Sequence, residues 1–156
     1  MQYEKVQAAL IDNESLPWIP FLPYSDGVFV KYFKLDPIRG EMIALMRVPA
    51  RVLLPQHYQS GTVISYTIEG RWKFREYEWI AGPGSVVFEP AASRHTPETG
   101  ITEGEVLLLD VVVGELLFQD EDGKILAIEN WKTAMERYLA HCRWHGIAPR
   151  DLTAFS

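Results

Sequence analysis

Residues 27–128 are a succession of short apolar runs of period two, each closed by a turn. "GVFVKYFKL" (27–35) alternates apolar and polar side chains, and "DPIRG" (36–40) separates it from "EMIALMRV" (41–48). "GTVISYTI" (61–68) and "RWKFREYEW" (71–79) flank Glu69 and Gly70, which read as a two-residue hairpin loop with Gly at the position of positive φ. "GSVVFEP" (84–90), "EVLLLDVVVGELLF" (105–118) and, after the turn "DEDG" (120–123), "KILAI" (124–128) complete the series. Strand runs that follow one another without intervening helices cannot build βαβ units. They point to an all-β sandwich or barrel.

The period changes once. Trp131, Ala134, Met135, Tyr138, Leu139 and Cys142 fall at i, i+3, i+4, i+7, i+8 and i+11, which is one face of an amphipathic helix over residues 130–145. Asn130 is the expected N-cap and Gly146 the expected stop. A chain of 156 residues, 47% hydrophobic and 12% aromatic, suits a single domain (1–156) with one core, the barrel occupying residues 27–128.

The net charge is −6 and no basic cluster is present, which argues against a nucleic-acid partner. No run approaches the roughly 20 apolar residues of a membrane span. The N-terminal segment lacks the pattern of a signal peptide. The one cysteine, Cys142, can form no internal disulfide and sits in the apolar helical stripe, where packing is the expected role. The expected location is the cytoplasm.

The four histidines are His57, His95, His141 and His145. His141 and His145 lie four apart beside the packed stripe of the helix, and His145 complements its C-terminal dipole. His57 follows "RVLLPQ", and His95 ends "GSVVFEPAASRH". These two surroundings resemble the two motifs of the cupin superfamily. On the first motif, His57 takes the first histidine and Gly70 the closing glycine, while Gln59 stands at the second histidine and Val63 at the glutamate. On the second, Gly84, Pro90 and His95 match, and Ala92 replaces the inner glycine. "SLPWIP", "GRWKFREYEW", "VFEP" and "DEDGKILAIENW" make nearly the whole chain similar to cupins of the 2,4'-dihydroxyacetophenone dioxygenase type and, more weakly, to acetylacetone-cleaving dioxygenases.

The resemblance implies a double-stranded β-helix, a jelly-roll barrel of RmlC-like type, with the helix added at its C-terminus. It also implies a metal-dependent dioxygenase that cleaves a C–C bond in a small hydroxyketone or diketone with O₂. In the first of those groups a glutamate on the strand after the turn joins the ligands, and the matching residue is Glu76. Hairpin geometry supports it independently. If Glu69 and Gly70 form the loop, Val63 stands opposite Glu76, and opposed residues share a face. A slip of one residue would turn Glu76 outward, and Glu78 is the fallback candidate.

The expected metal set is therefore His57, Gln59, Glu76 and His95. Two imidazoles and a carboxylate are the set of non-haem Fe(II) oxygenases, and Zn, Ni and Mn accept the same donors. Gln59 serves either as a weak ligand or as a hydrogen-bonding group that orients substrate or water. Val63, Trp72 and Phe74 share the inward face and form the expected substrate pocket. Arg75, Tyr77 and Trp79 then point outward, and two exposed aromatics suggest a homodimer or homotetramer. The rival reading is a non-catalytic, small-molecule-sensing cupin.

Overall fold

A computed structural model describes residues 8–22, 24, 26–100 and 104–153 of the chain. The N-terminal reading falls partly on residues 1–7, outside the described residues. A short 3-10 turn, Asn13–Ser15, leads into β1 (Ile19–Pro20), β2 (Phe29–Asp36), β3 (Glu41–Val48), β4 (Gln56–Gln59), β5 (Val63–Glu69), β6 (Lys73–Phe74) and β7 (Val86–Glu89). Then follow β8 (Ser93–His95), β9 (Pro97–Glu98), β10 (Val106–Val113), β11 (Leu116–Gln119), β12 (Ile125–Glu129) and the helix α1 (Trp131–His145).

Two main sheets form. One has the order β1-β2-β3-β10-β5-β7, the other β12-β11-β4-β8, and β6 pairs only with β9. This is the jelly-roll barrel with a C-terminal helix that the resemblance implies. Period two explains the inner face. In β10, Val106, Leu108, Asp110 and Val112 are buried, and in β5, Val63, Ser65 and Thr67 are buried while their neighbours face out.

Two expected strands are drawn differently. The run 105–118 is two strands, split where Gly114 takes φ +81° and the chain passes from one sheet to the other. The expected hairpin at Glu69 and Gly70 is not one. Gly70 does adopt φ +81°, and a Cβ there would lie 2.6 Å from the Glu105 carbonyl oxygen. The chain beyond it does not fold back on β5, because β10 and β7 already occupy both edges of that strand. Instead Trp72 bridges Ala81, Lys73 and Phe74 pair with Glu98 and Pro97, and a turn closed by Tyr77 N–H to Phe74 O ends the strand. Local turn propensity is overridden by two long-range pairings.

The helix forms where the periodicity places it. Asn130 Oδ1 accepts from the backbone of Lys132 and Thr133, Thr133 Oγ1 accepts from Asn130 N–H, and Gly146 closes the helix in the left-handed conformation. Ala134, Tyr138 and Cys142 are its buried face, packed toward β2 and β12. Arg137 reaches back to the barrel, donating to Glu129 and to Tyr32 Oη. Among the described residues no helix is long and apolar enough to cross a membrane.

Candidate functional site

Strands β4 and β8 set His57 directly opposite His95, and Gln59 opposite Ser93. Opposed side chains share a face, and the two imidazole centroids are 6.1 Å apart. Both rings are buried. The Ser93 hydroxyl contacts Pro90 O at 2.6 Å and His95 Nε2 at 2.8 Å. It has one proton, and the shorter bond to the carbonyl uses it. His95 Nε2–H is therefore the donor to Ser93, and the lone pair lies on Nδ1, which is buried without a partner. Burial lowers the pKa of His95, with Glu89 opposing that shift and His57 adding to it. Phe74 stacks on the His95 ring at 4.4 Å.

Gln59 is fully buried. Its Nε2 donates to Pro90 O at 3.3 Å, while its Oε1 has no partner. Ala92 N–H donates to the Gln59 carbonyl, and Ala92 itself holds φ +61°. That is the left-handed conformation for which the motif's inner glycine is suited.

Val63 does not face Glu76. Its partner on β7 is Glu89. Glu89 is 3% exposed, and its Oε1 lies 3.2 Å from His57 Nε2. Glu76 sits in the exposed turn after β6, where its Oε2 accepts from Thr96 N–H at 3.0 Å. Partial burial raises its pKa, but hydrogen bonds from Thr96 outweigh this and hold the group below its ordinary value. It therefore does not share the buried face of Trp72 and Phe74, and Glu78 is exposed as well. The strand that carried the expected register is too short to deliver either carboxylate to β5. Tyr77 and Trp79 are half exposed, as expected, yet their rings also pack edge-on or tilted against Phe74.

A cavity of about 110 Å³ lies between the sheets. Val63, Trp72 and Phe74 line it, as does His57, whereas Gln59, His95 and Glu76 do not. Its wall is mostly apolar, with Met42, Leu108 and Phe118 among the lining side chains. The polar part of the wall comprises His57, Glu89, Ser65 and Asp110, with Glu129 also on the lining. Ser65 Oγ donates to Asp110 Oδ1 at 2.6 Å. Burial pushes the Asp110 carboxyl up to about 7, the Ser65 bond opposing and the nearby Glu89 adding to the shift.

Two functional candidates were legible by parity alone. Asp110 is a charge inside "VLLLDVVV" on the same parity as Val106 and Leu108, and Glu89 shares the inward parity of Val87 in "VVFE". Neither falls on a motif position.

The donor chemistry suits a divalent cation. The imidazoles of His57 and His95, a carboxylate and the Gln59 amide are hard-to-borderline donors, and Gln59 Oε1 and His95 Nδ1 are buried atoms lacking a partner. Among the described residues no three His, Cys, Asp or Glu side chains are arranged to hold an ion by themselves.

No curated protein matches the chain. Over its full length it is similar to an RmlC-like cupin protein from Ralstonia eutropha JMP134, at 48% identity, with all of both chains covered and a TM-score of 0.96. A second protein from that organism, of unknown function and with a cupin-like fold, matches at 25% identity over 92% of this chain and 91% of the other, TM-score 0.82. An acetylacetone dioxygenase from Acinetobacter johnsonii shares the fold at 23% identity over 86% of this chain and 91% of its own, TM-score 0.73. Residues 6–112 match the ChrR cupin-like domain, so the chain belongs to that family of cupins.

Proposed function

We propose that the protein is a metal-dependent dioxygenase that cleaves a C–C bond in a small diketone or hydroxyketone. The observation that carries the reading is the position of His57, which lines the apolar cavity and stands directly opposite a second buried imidazole, His95. These two residues and Gln59 would hold the ion, and Fe(II) is the ion expected. Such an ion would supply Lewis-acid polarisation of substrate oxygens and an open position for O₂, while the electrons that reduce O₂ would come from the substrate.

The chain's own residues define the substrate. Trp72 and Phe74 wall the cavity with aromatic surface, and His57, Glu89, Ser65 and Asp110 give it polar groups. An engineered cavity of roughly 150 Å³ accepts benzene, so a volume of about 110 Å³ favours a short aliphatic dicarbonyl over an aryl ketone. The shared fold with an acetylacetone dioxygenase is compatible with this class.

Oxygen uptake tests the proposal. After anaerobic loading with Fe(II), the protein should consume O₂ with pentane-2,4-dione or a four- to five-carbon hydroxyketone, and His57→Ala should abolish uptake. A second reading, a small-molecule sensor without turnover, is favoured by the loss of two motif ligands at Gln59 and Val63. It predicts no uptake with any compound of the panel but a raised melting temperature with one of them.

A further inference from the structure

Resting on that reading for the class of substrate, we propose that Asp110, held in place by Ser65, recognises the substrate's carbonyl oxygen by donating a hydrogen bond to it inside the cavity. Asp110 is buried on the inner face of β10 and lines the cavity. The sheet registers set Ala44 on one side of it and Ser65 on the other, and Leu108 and Val112 flank it along its own strand. Of these neighbours only Ser65 is polar. Among the described residues no Lys or Arg lines the cavity, and the one hydrogen bond to the Asp110 side chain comes from Ser65 Oγ, at 2.6 Å to Oδ1.

A buried carboxylate with no cation beside it is costly in its charged form. The cavity holds another carboxyl group, Glu89, and that one has the His57 imidazole at 3.2 Å. Like charges in one cavity disfavour each other, so Glu89 carries the charge and Asp110 keeps its proton. The raised pKa of Asp110 agrees with this order. With Oδ1 accepting from Ser65, the acid proton on Oδ2 is left to the cavity. The other hydroxyl and indole donors of the lining are spent: Trp72 N–H on Thr67, Tyr24 on the Ile128 carbonyl and Tyr32 on Glu129. A ketone oxygen accepts from Asp110 and brings no charge. An oxo acid would set its carboxylate against Glu89 with no cation in the wall, so the cavity selects uncharged ketones.

Pentan-2-one is the probe, with the anion 2-oxopentanoate and the hydrocarbon cyclopentane as comparisons. Binding is measured by calorimetry on the full chain, as purified and again in chelator, with circular dichroism as a check on folding. Near neutral pH, wild type should bind pentan-2-one in both conditions, about tenfold or more above 2-oxopentanoate. Asp110→Val should weaken pentan-2-one about tenfold and leave cyclopentane unchanged. Asp110→Asn, whose amide is still a donor, should keep most of the affinity. Raising the pH by about two units should weaken the ketone about tenfold in wild type and not in Asp110→Asn. That variant is the control for Glu89 and His57, the titratable groups that act on Asp110 from β7 and β4, whereas β3 presents Ala44. Tyr24 and Tyr32 are raised by burial and stay neutral throughout. Wild-type ketone affinity in Asp110→Val, or a pH step that persists in Asp110→Asn, overturns the role of Asp110. Ketone binding that vanishes in chelator overturns it too, because the oxygen is then held by an ion. Oxygen uptake by the Fe(II)-loaded protein is a separate measurement, so its failure overturns the dioxygenase reading and leaves the role of Asp110 standing.

Discussion

Glu89 and His57 come from opposite sheets of the barrel and meet in its interior, carboxylate oxygen to imidazole nitrogen at 3.2 Å. Each is nearly sealed from solvent. Removing one partner strands the other in a low-dielectric site, which costs about 3 kcal/mol or more, whereas removing both with apolar residues of similar volume is far milder. In metal-free protein, His57→Leu should therefore lower unfolding stability by about 3 kcal/mol. His57→Leu/Glu89→Leu should recover a large part of that loss. Urea denaturation of the double-mutant cycle measures it. Additive single effects would show that the pair is not coupled.

Asp110 gives the barrel a pH dependence with a definite sign. Its carboxyl is fully buried and raised from 3.8 to about 7, chiefly by desolvation. The folded state thus holds a proton that the unfolded chain has released, and stability must fall as pH rises through the window from about 4 to about 7. The stabilisation is complete below that window and lost above it. A shift of this size corresponds to something on the order of 4 kcal/mol. Asp110→Asn should flatten this part of the stability profile, so that the variant gains on wild type between pH 5 and pH 8. Chemical denaturation at the two pH values, in chelator, checks it.

The sequence disclosed the barrel because strand parity and turn residues are local signals, and the helix because its stripe and both caps lie within one continuous segment, Asn130 to Gly146. It brought His57 and His95 together, as the β4–β8 pairing does, because their spacing to Gly70, Gly84 and Pro90 is fixed along the chain. The register was misplaced for a physical reason. Val63 has a glutamate opposite it, but that residue is Glu89, because the opposing strand is β7 and not the segment after Gly70. Which strand lies beside β5 is decided by pairings across twenty or more residues, and no turn motif encodes those. Asp110 was visible as a charge in an apolar run, yet its partner Ser65 is set by the β10–β5 register, again a non-local quantity.

Ala92 holds φ +61° at the position where the motif has glycine. A left-handed backbone costs an L-residue about 1–2 kcal/mol, part of which is offset in glycine by its larger unfolded-state entropy. Ala92→Gly should stabilise the protein by roughly 0.5–1 kcal/mol, seen as a rise of a few degrees in melting temperature. A fall would mean that the Ala92 methyl makes packing contacts worth more than the strain.

Arg137 couples the helix to the barrel through Glu129 and Tyr32, and its guanidinium also lies over the Phe21 ring at 4.9 Å. Burial raises the pKa of Glu129, and the guanidinium opposes that. Arg137→Met should leave the carboxylate without its counter-ion and cost about 3–5 kcal/mol. Adding Glu129→Gln should return a substantial part. If the single variant unfolds like wild type in urea, the helix is held by its apolar face alone.

The outer face of β5 and β7 is a feature that a lone chain in water leaves unexplained. Ile64 stands opposite Phe88 and Tyr66 opposite Val86, and with Ile68 these side chains form a continuous uncharged strip. Phe88 and Val86 are 62% and 63% exposed. Among the described strands β7 is an edge with nothing paired beyond it. Monomers rarely leave a contiguous apolar patch larger than a few hundred Å² in water. A second copy related by a two-fold axis would set the same strip against itself and cover both edges. The wild type should therefore sediment as a dimer, and Phe88→Glu should shift it to monomer with the barrel still folded, since Phe88 contributes to the outer surface and not to the cavity. A wild type that sediments as a monomer at high protein concentration would assign the strip to a different partner.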